Sequence, residues 1–151
     1  MARIAMDVIG FTGSQKGMTP KARQSLYDLF MKVNGVDFHH GDCVGSDEQA
    51  HHLASSLQYS IAIHPPENDE KRAFCQPTLD GRMFPAKDYL DRNQDIVDAS
   101  TYLMATPNSY KERRRGSGTW ATIRRARKKG IRISIIYPNG IVNEEAATGG
   151  K

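Results

Sequence analysis

Residues 100–138 read STYLMATPNSYKERRRGSGTWATIRRARKKGIRISIIYP. Two apolar runs, STYLMATP and GIRISIIYP, each stop at a proline, as buried strands bounded by turn residues do. The residues between them predict a helix over 117–129 that ends on a basic turn, which suits the negative end of the helix dipole. A strand, a helix and a strand in that order form a crossover unit whose two strands lie parallel.

The same grammar extends upstream. ARIAMDVIGF reads as a buried strand running into the turn GFTGSQ. Thr19 caps the next helix and Pro20 takes its first position; Ala22, Leu26, Leu29, Phe30 and Val33 follow at helical spacing, and Asn34-Gly35 ends it. VDFHHGD is a second strand. A second helix opens at Gly45-Ser46-Asp47 with Ala50, Leu53, Ala54 and Leu57 on one face, and YSIAIHP is a third strand. AKDYLDRNQDIVDA is a third helix leading back to STYLMATP. Strand and helix thus alternate five times. The expectation is an α/β fold, Rossmann-like and doubly wound, with a mainly parallel five-stranded sheet and helices on both faces. Pro138-Asn139-Gly140 then turns the chain into a short final strand or coil. One domain is expected over 1–143, with a flexible tail at 144–151. Residues 67–86 show no period and contain Pro77, Gly81 and Pro85, so they read either as a functional loop or lid or as a surface excursion.

Composition narrows the class. A chain of 151 residues with 38% hydrophobic and 25% charged residues suits one soluble domain with a real core. No apolar run approaches the roughly 20 residues that cross a bilayer, and MARIAMDVIGFTG lacks the long apolar region of a signal peptide. The expectation is a cytoplasmic protein without membrane contact. Cys43 and Cys75 form no CxxC. His39-His40 and His51-His52 are adjacent pairs, and adjacent residues on a helix do not share a face, so neither pair chelates by itself. No metal and no cofactor are expected. The net charge of +4 is concentrated over 111–129, where Arg113, Arg114, Arg115, Arg124, Arg125, Arg127, Lys128 and Lys129 accompany Glu112 as the only acid. The run over 124–129 reads as a solvated helix face. Arg113, Arg114 and Arg115 precede a glycine turn, and read instead as phosphate-facing.

Ligands of open α/β sheets bind beyond the carboxyl ends of the strands, where the strand order reverses. Three turns therefore carry the expected chemistry. After the first strand, Gly10, Thr12, Gly13 and Ser14 offer close backbone approach and hydroxyl donors, without the spacing of a GxGxxG or P-loop motif. After the second, Gly41 and Gly45 bracket Asp42, with Ser46 and Asp47 at a helix start that could hold an anion. Asp42 and Asp47 could accept hydrogen bonds from ribose or a base; plain helix capping also accounts for Asp47. After the fourth, Arg115, Gly116, Ser117, Gly118 and Thr119 combine a guanidinium, two glycines and two hydroxyls at a helix N-terminus, all favourable to a phosphate. Trp120 could stack on a base or pack under the helix. Arg92 could reach the same crevice or pair with Asp91 or Asp95.

Taken together, GFTGS, HHGDCVGSDEQAHHLA and DRNQDIVDASTYLMATP leading to RGSGTWATIRRARKKG resemble the SLOG superfamily, named for the SMF/DprA and LOG proteins. The resemblance runs over about 4–138 and is nearest to the small stand-alone members of bacteria and phages. It implies a Rossmann-like domain that binds a nucleotide or related molecule and self-associates as a homodimer or larger assembly. RGSGT looks like the PGGxGT turn of the LOG phosphoribohydrolases, which release a base from a nucleoside monophosphate, and Arg92 is similar to their helix arginine. Their catalytic Glu, three residues after the Thr, corresponds to Thr122, which cannot act as a carboxylate.

Three functions follow. The first is a sensor or sequestering module for a nucleoside phosphate or a NAD- or ADP-ribose-type ligand. The second is a nucleotide N-glycosidase using Arg92 with Asp42 or Asp47, or with Glu67. The third is DprA-like nucleic-acid binding through the arginines, although the interleaved aromatics of a single-strand platform are missing.

Overall fold

The computed structural model describes residues 6–149. The parts of the first strand expected at 2–5 and of the tail at 150–151 lie outside the described residues. The elements are β1 (Asp7–Gly13), α1 (Pro20–Lys32), β2 (Gly35–His40), α2 (Ser46–Ser56), β3 (Ser60–Ile63), a single 3-10 turn (Asp69–Lys71), β4 (Arg82–Met83), α3 (Tyr89–Ala99), β5 (Tyr102–Thr106), α4 (Gly118–Lys129), β6 (Arg132–Ile136) and β7 (Val142–Glu145).

They build one Rossmann-like sheet in the order β4-β3-β2-β1-β5-β6-β7. Every neighbouring pair from β4 to β6 is parallel, and β7 runs antiparallel to β6. The expected five strands are therefore seven. β4 escapes a reading by period because it is two exposed residues lying beside Ala62 and Ile63. β7 is the return arm of a hairpin: Tyr137 N donates to Ile141 O (2.9 Å) and Gly140, at φ 84°, turns the chain. It also moves the start of the expected tail, since Glu144 and Glu145 pair with Ser134 and Ile133. Arg127 grips Glu145 through two nitrogens at 2.8 and 3.0 Å, and Thr148 N reaches Gly130 O, so the chain stays tied down past 144.

Local signals explain the helices. Thr19 caps α1 by accepting from Ala22 N at 3.0 Å, with Pro20 in the first turn. Asp88 caps α3, which is why that helix starts at Tyr89 instead of 86. Ser117 caps α4, and Gly130 ends it in the left-handed region at φ 83°. Each sheet face has its own core. α1 and α2 send Ala22, Leu26, Phe30, Ala50 and Ala54 onto Phe11, Phe38, Tyr102 and Met104. α3 and α4 send Val97, Trp120, Ile123 and Ala126 onto Leu103, Ala105, Ile133 and Ile135. Consecutive residues of β5 thus serve opposite faces, as a central strand requires. Among the described residues no helix is long and apolar enough to cross a membrane.

The chain leaves β1 for β2 on one side, and later returns to place β5 on the other side of β1. The strand order reverses there, and the crevice beyond the carboxyl ends of β1 and β5 is where this topology admits a ligand.

Candidate functional site

A cleft of about 870 Å³ occupies that crevice. Phe11, Ile96 and Ala121 contribute apolar surface. Its walls bring six cationic side chains (Lys16, Lys71, Arg92, Arg113, Arg114, Arg124) against three carboxylates (Asp47, Glu67, Asp88), so its field favours an anion.

The wall at α4 is the best-formed anion cradle. Gly116 turns the chain at φ 72°, Ser117 is extended, and the helix begins at Gly118. Ser117 Oγ accepts from Trp120 N (3.2 Å), leaving the amides of Gly118 and Thr119 without an intrahelical acceptor. Gly116, Ser117, Gly118 and Thr119 all line the cleft. Arg115, the guanidinium expected to hold the phosphate, is exposed and does not line it; Arg113 and Arg114 do. Arg113 lies over the turn, with Nη2 3.5 Å from where a Cβ on Gly116 would sit.

Facing this cradle is Asn93, a residue that sequence reasoning passed over beside Arg92. It is 8% exposed. Its Oδ1 accepts from Arg92 Nε at 2.8 Å, while its Nδ2 donates to no acceptor among the described residues. That nitrogen sits 4.0 Å from the place a Cβ on Gly118 would occupy, so it is aimed at the helix start.

Arg92 reaches the crevice from α3, as expected, but its alternative partner Asp95 is taken by Lys87 at 2.6 Å. The buried Arg92 guanidinium donates to Gly41 O and to His64 O (3.2 Å) and lies 3.6–3.7 Å from Cys43 Sγ. It ties together the ends of β2 and β3 and presents the rest of its charge to the cleft. Asp47 sits across Gly41 from it. Asp47 Oδ2 accepts from Cys43 N (3.2 Å). Burial pushes its carboxyl up to about 6, against the pull of Arg92.

The remaining expected residues divide. Thr12, Gly13 and Ser14 line the cleft at the end of β1, and Gly41 does so at the end of β2. Gly10, Asp42, Gly45 and Ser46 do not. Gly10 is a packing position: a Cβ there would run into Ser100 and Ile96. Gly45, at φ 89°, gives way to the Gln15 carbonyl. Ser46 Oγ and Thr106 Oγ1 are buried with no hydrogen-bond partner among the described residues, and both crowd the place a Cβ on Gly13 would take.

Asp42 is a clamp for the loop that follows β3. At φ 55° and with no exposure, it accepts from Arg72 Nε and from Cys75 N, both at 2.9 Å. Its own carbonyl accepts from Ala73 N (2.7 Å), and Val44 N donates to Lys71 O (2.9 Å). The segment 67–86 is thereby pinned to the β2–α2 turn, and its first residues form a wall of the cleft.

Two other ambiguities close. Trp120 is core, 2% exposed, with Nε1 donating to Ser109 Oγ at 2.9 Å. The basic run of α4 is mostly spent inside the molecule. Arg124 and Arg127 hold Glu112, Arg125 bonds Gln94 and Leu90 O, and Lys129 donates to the carbonyls of Val97, Asp98 and Ser100. Thr122, where the LOG pattern has its Glu, is buried and donates to Gly118 O at 2.8 Å.

The histidines pair across elements. His39 Nδ1 meets His64 Nε2 at 2.8 Å, and His40 Nε2 meets His51 Nδ1 at 2.9 Å. His40, His51 and Cys75 offer ligand atoms within 4.8 Å of one another. A metal fits them poorly. The Asp42 amide donates to His40 Nδ1 at 3.0 Å, so the proton of neutral His40 is on Nε2, pointing at His51. Burial and the nearby Asp42 carboxylate push the Cys75 thiol up to about 12, away from the thiolate a metal needs. His40 and His51 form a buried hydrogen-bonded pair backed by the Asp42 amide.

No protein-family model, no curated protein and no solved structure matches this chain, so the case for its function rests on the cleft itself.

Proposed function

We propose that this protein binds a phosphorylated, nucleotide-derived ligand in the β1/β5 crevice, as a sensor or sequestering module, with a phosphate on the first turn of α4. The observation that carries this reading is the first turn of α4: the Gly118 and Thr119 amides lack an intrahelical acceptor, Asn93 Nδ2 is aimed at that turn, and Arg113 lies over Gly116 on the same wall of the cleft. Helix-start amides, a side-chain amide and a guanidinium on one wall form a donor set that suits an acceptor-rich anion. The SLOG resemblance implies the same class of ligand, a nucleoside phosphate or a NAD- or ADP-ribose-type molecule, and with it a homodimer or larger assembly. Light scattering that finds only monomer at high concentration would remove the assembly.

The test is thermal shift and calorimetry with nucleoside monophosphates, NAD and ADP-ribose. A ligand at about 100 times its Kd raises stability by about 2.7 kcal/mol. Arg113→Ala and Asn93→Ala are expected to weaken it about tenfold or more, since hydrogen bonds to charged groups are the strong ones. Arg115→Ala is expected to change affinity less than twofold. Loss of binding on Arg115→Ala alone would sink this orientation of the turn.

A second reading has one observation in its favour. Asp47 faces the cleft beside Arg92, and burial pushes its carboxyl up to about 6, a range suited to proton transfer in N-glycosidic hydrolysis. Mass spectrometry of each ligand after incubation decides it: a free base that vanishes with Asp47→Asn would make the protein a hydrolase. Nucleic-acid binding, suggested by Arg113 to Arg115 and by the run over 124–129, has less support, because Arg124, Arg125 and Arg127 are engaged with Glu112, Glu145 and Gln94, which leaves only Arg113, Arg114 and Arg115 for it.

A further inference from the structure

The donors around α4 are sufficient for one phosphate. A phosphate ester offers three strong acceptor oxygens, and two helix amides, Asn93 Nδ2 and the Arg113 fork already meet them. Of the other five cations of the cleft, Arg114 adjoins Arg113, Arg124 is held by Glu112 and Arg92 is bonded to the Gly41 and His64 carbonyls, which leaves Lys16 and Lys71 away from α4. Lys16 follows β1 and Lys71 ends the 3-10 turn after β3. The β2–α2 turn holds them on the same side. Gly45 packs against the carbonyl of Gln15, the residue before Lys16, and the Val44 amide donates to the Lys71 carbonyl at 2.9 Å. Neither lysine makes an ion pair among the described residues. Asp42, a buried carboxylate of the adjoining turn, is committed to Arg72; Asp69 and Glu70 of the 3-10 turn do not line the cleft. Glu67 alone faces the cleft from that segment. Both lysines are thereby held on the β1/β2 side of the crevice, whereas α4 opens on the β5 side.

Resting on the reading above, we infer that the ligand carries a second phosphate, held by Lys16 and Lys71 across the cleft from the one at α4. Its chemistry is that of a nucleotide with two phosphates, either as a pyrophosphate or as one at each end of the ribose.

Calorimetry separates the cases, with adenosine and guanosine 5′-monophosphate, 5′-diphosphate and 3′,5′-bisphosphate as probes. One of the two-phosphate series is expected to bind about tenfold or more tightly than its monophosphate. A diphosphate gain identifies the pyrophosphate, and a bisphosphate gain identifies the separated pair. Lys16→Ala with Lys71→Ala is expected to erase that gain, to weaken the monophosphate much less than the two-phosphate probe, and to leave the melting temperature unchanged because both side chains are exposed. A monophosphate that binds as tightly as both two-phosphate series overturns the second phosphate and leaves the first standing. So does an equal loss for all probes in the double variant. No binding by any probe removes both readings. A single-stranded oligonucleotide that outbinds every probe, with affinity falling steeply in salt, overturns the inference in favour of a polymer.

Discussion

Replacing Asp42 separates a structural clamp from a catalytic carboxylate. Asp42→Ala removes three things at once. Arg72 loses its partner, but its side chain keeps a fifth of its surface in solvent, so this costs about 1–2 kcal/mol, below the 3–5 of a fully buried pair. The buried Cys75 amide is orphaned, at about 1–3 kcal/mol. Alanine at φ 55° adds about 1 kcal/mol that aspartate tolerates better. The expected destabilisation is about 4 kcal/mol, or a fall of roughly 12 °C in Tm for a chain of this length. Asp42→Asn keeps an acceptor for the Cys75 amide and tolerates the left-handed backbone, so it is expected to cost only about 1–2 kcal/mol. Urea unfolding followed by circular dichroism reads both, and the order Ala worse than Asn is the signature. If the two variants coincide, or each costs less than about 1 kcal/mol, the clamp is wrong. If stability is unchanged while turnover of a ligand is lost, Asp42 belongs to the chemistry.

Stability should fall with acid through the buried histidines. Burial lowers His39 to about 4, His64 to about 3 and His40 well below its usual value, so the unfolded chain takes up protons first as pH drops below 6.5. Asp47, raised to about 6, opposes this between about 6 and 3.8, as one group against four, since burial lowers His51 as well. The urea midpoint is expected to be flat between about pH 7 and 8 and to decline steadily toward pH 4; a flat midpoint from 7 to 5 would refute the burial of neutral imidazoles. Gly13→Ala is expected to cost about 1–3 kcal/mol, because its Cβ would collide with Thr106 Oγ1 and Ser46 Cβ at the mouth of the cleft. An unchanged thermal midpoint in that variant would show the β1/β5 junction to be looser than its packing implies.

The central strands were legible because each is buried on both faces and reads as an apolar run stopped by Gly or Pro, as in VIGF, SIAI and YLMAT. The caps were legible for a related reason: Thr19-Pro20 and Gly130 act on their own neighbours, and local chemistry is written locally. The edges were not. β4 is two exposed residues, and β7, VNEE, is polar along its length. Both are strands because of what lies beside them in space, β3 in one case and β6 with Arg127 in the other.

The site divides along the same line. Topology alone points to the β1/β5 crevice, and the glycine turn before α4 follows from its motif. Which arginine enters the cleft does not. Arg113, Arg114 and Arg115 share one composition and lie in a stretch without periodicity, so only the path set by Gly116 and the anchoring of Arg124 to the Arg113 carbonyl decides that 113 and 114 face inward. The two aspartates of the β2–α2 turn show the same limit more sharply. Five residues apart and equally plausible as ligand groups, they point opposite ways across one turn. Asp42 takes the left-handed corner and faces the loop it clamps. Asp47, one residue into α2, faces the cleft and Arg92. The clamp in turn carries Lys71 to the cleft wall. A change at Asp42 would therefore reach the ligand through that loop, and a change at Asp47 would reach it directly; comparing the two by affinity and by melting temperature tells a positioning residue from a contacting one.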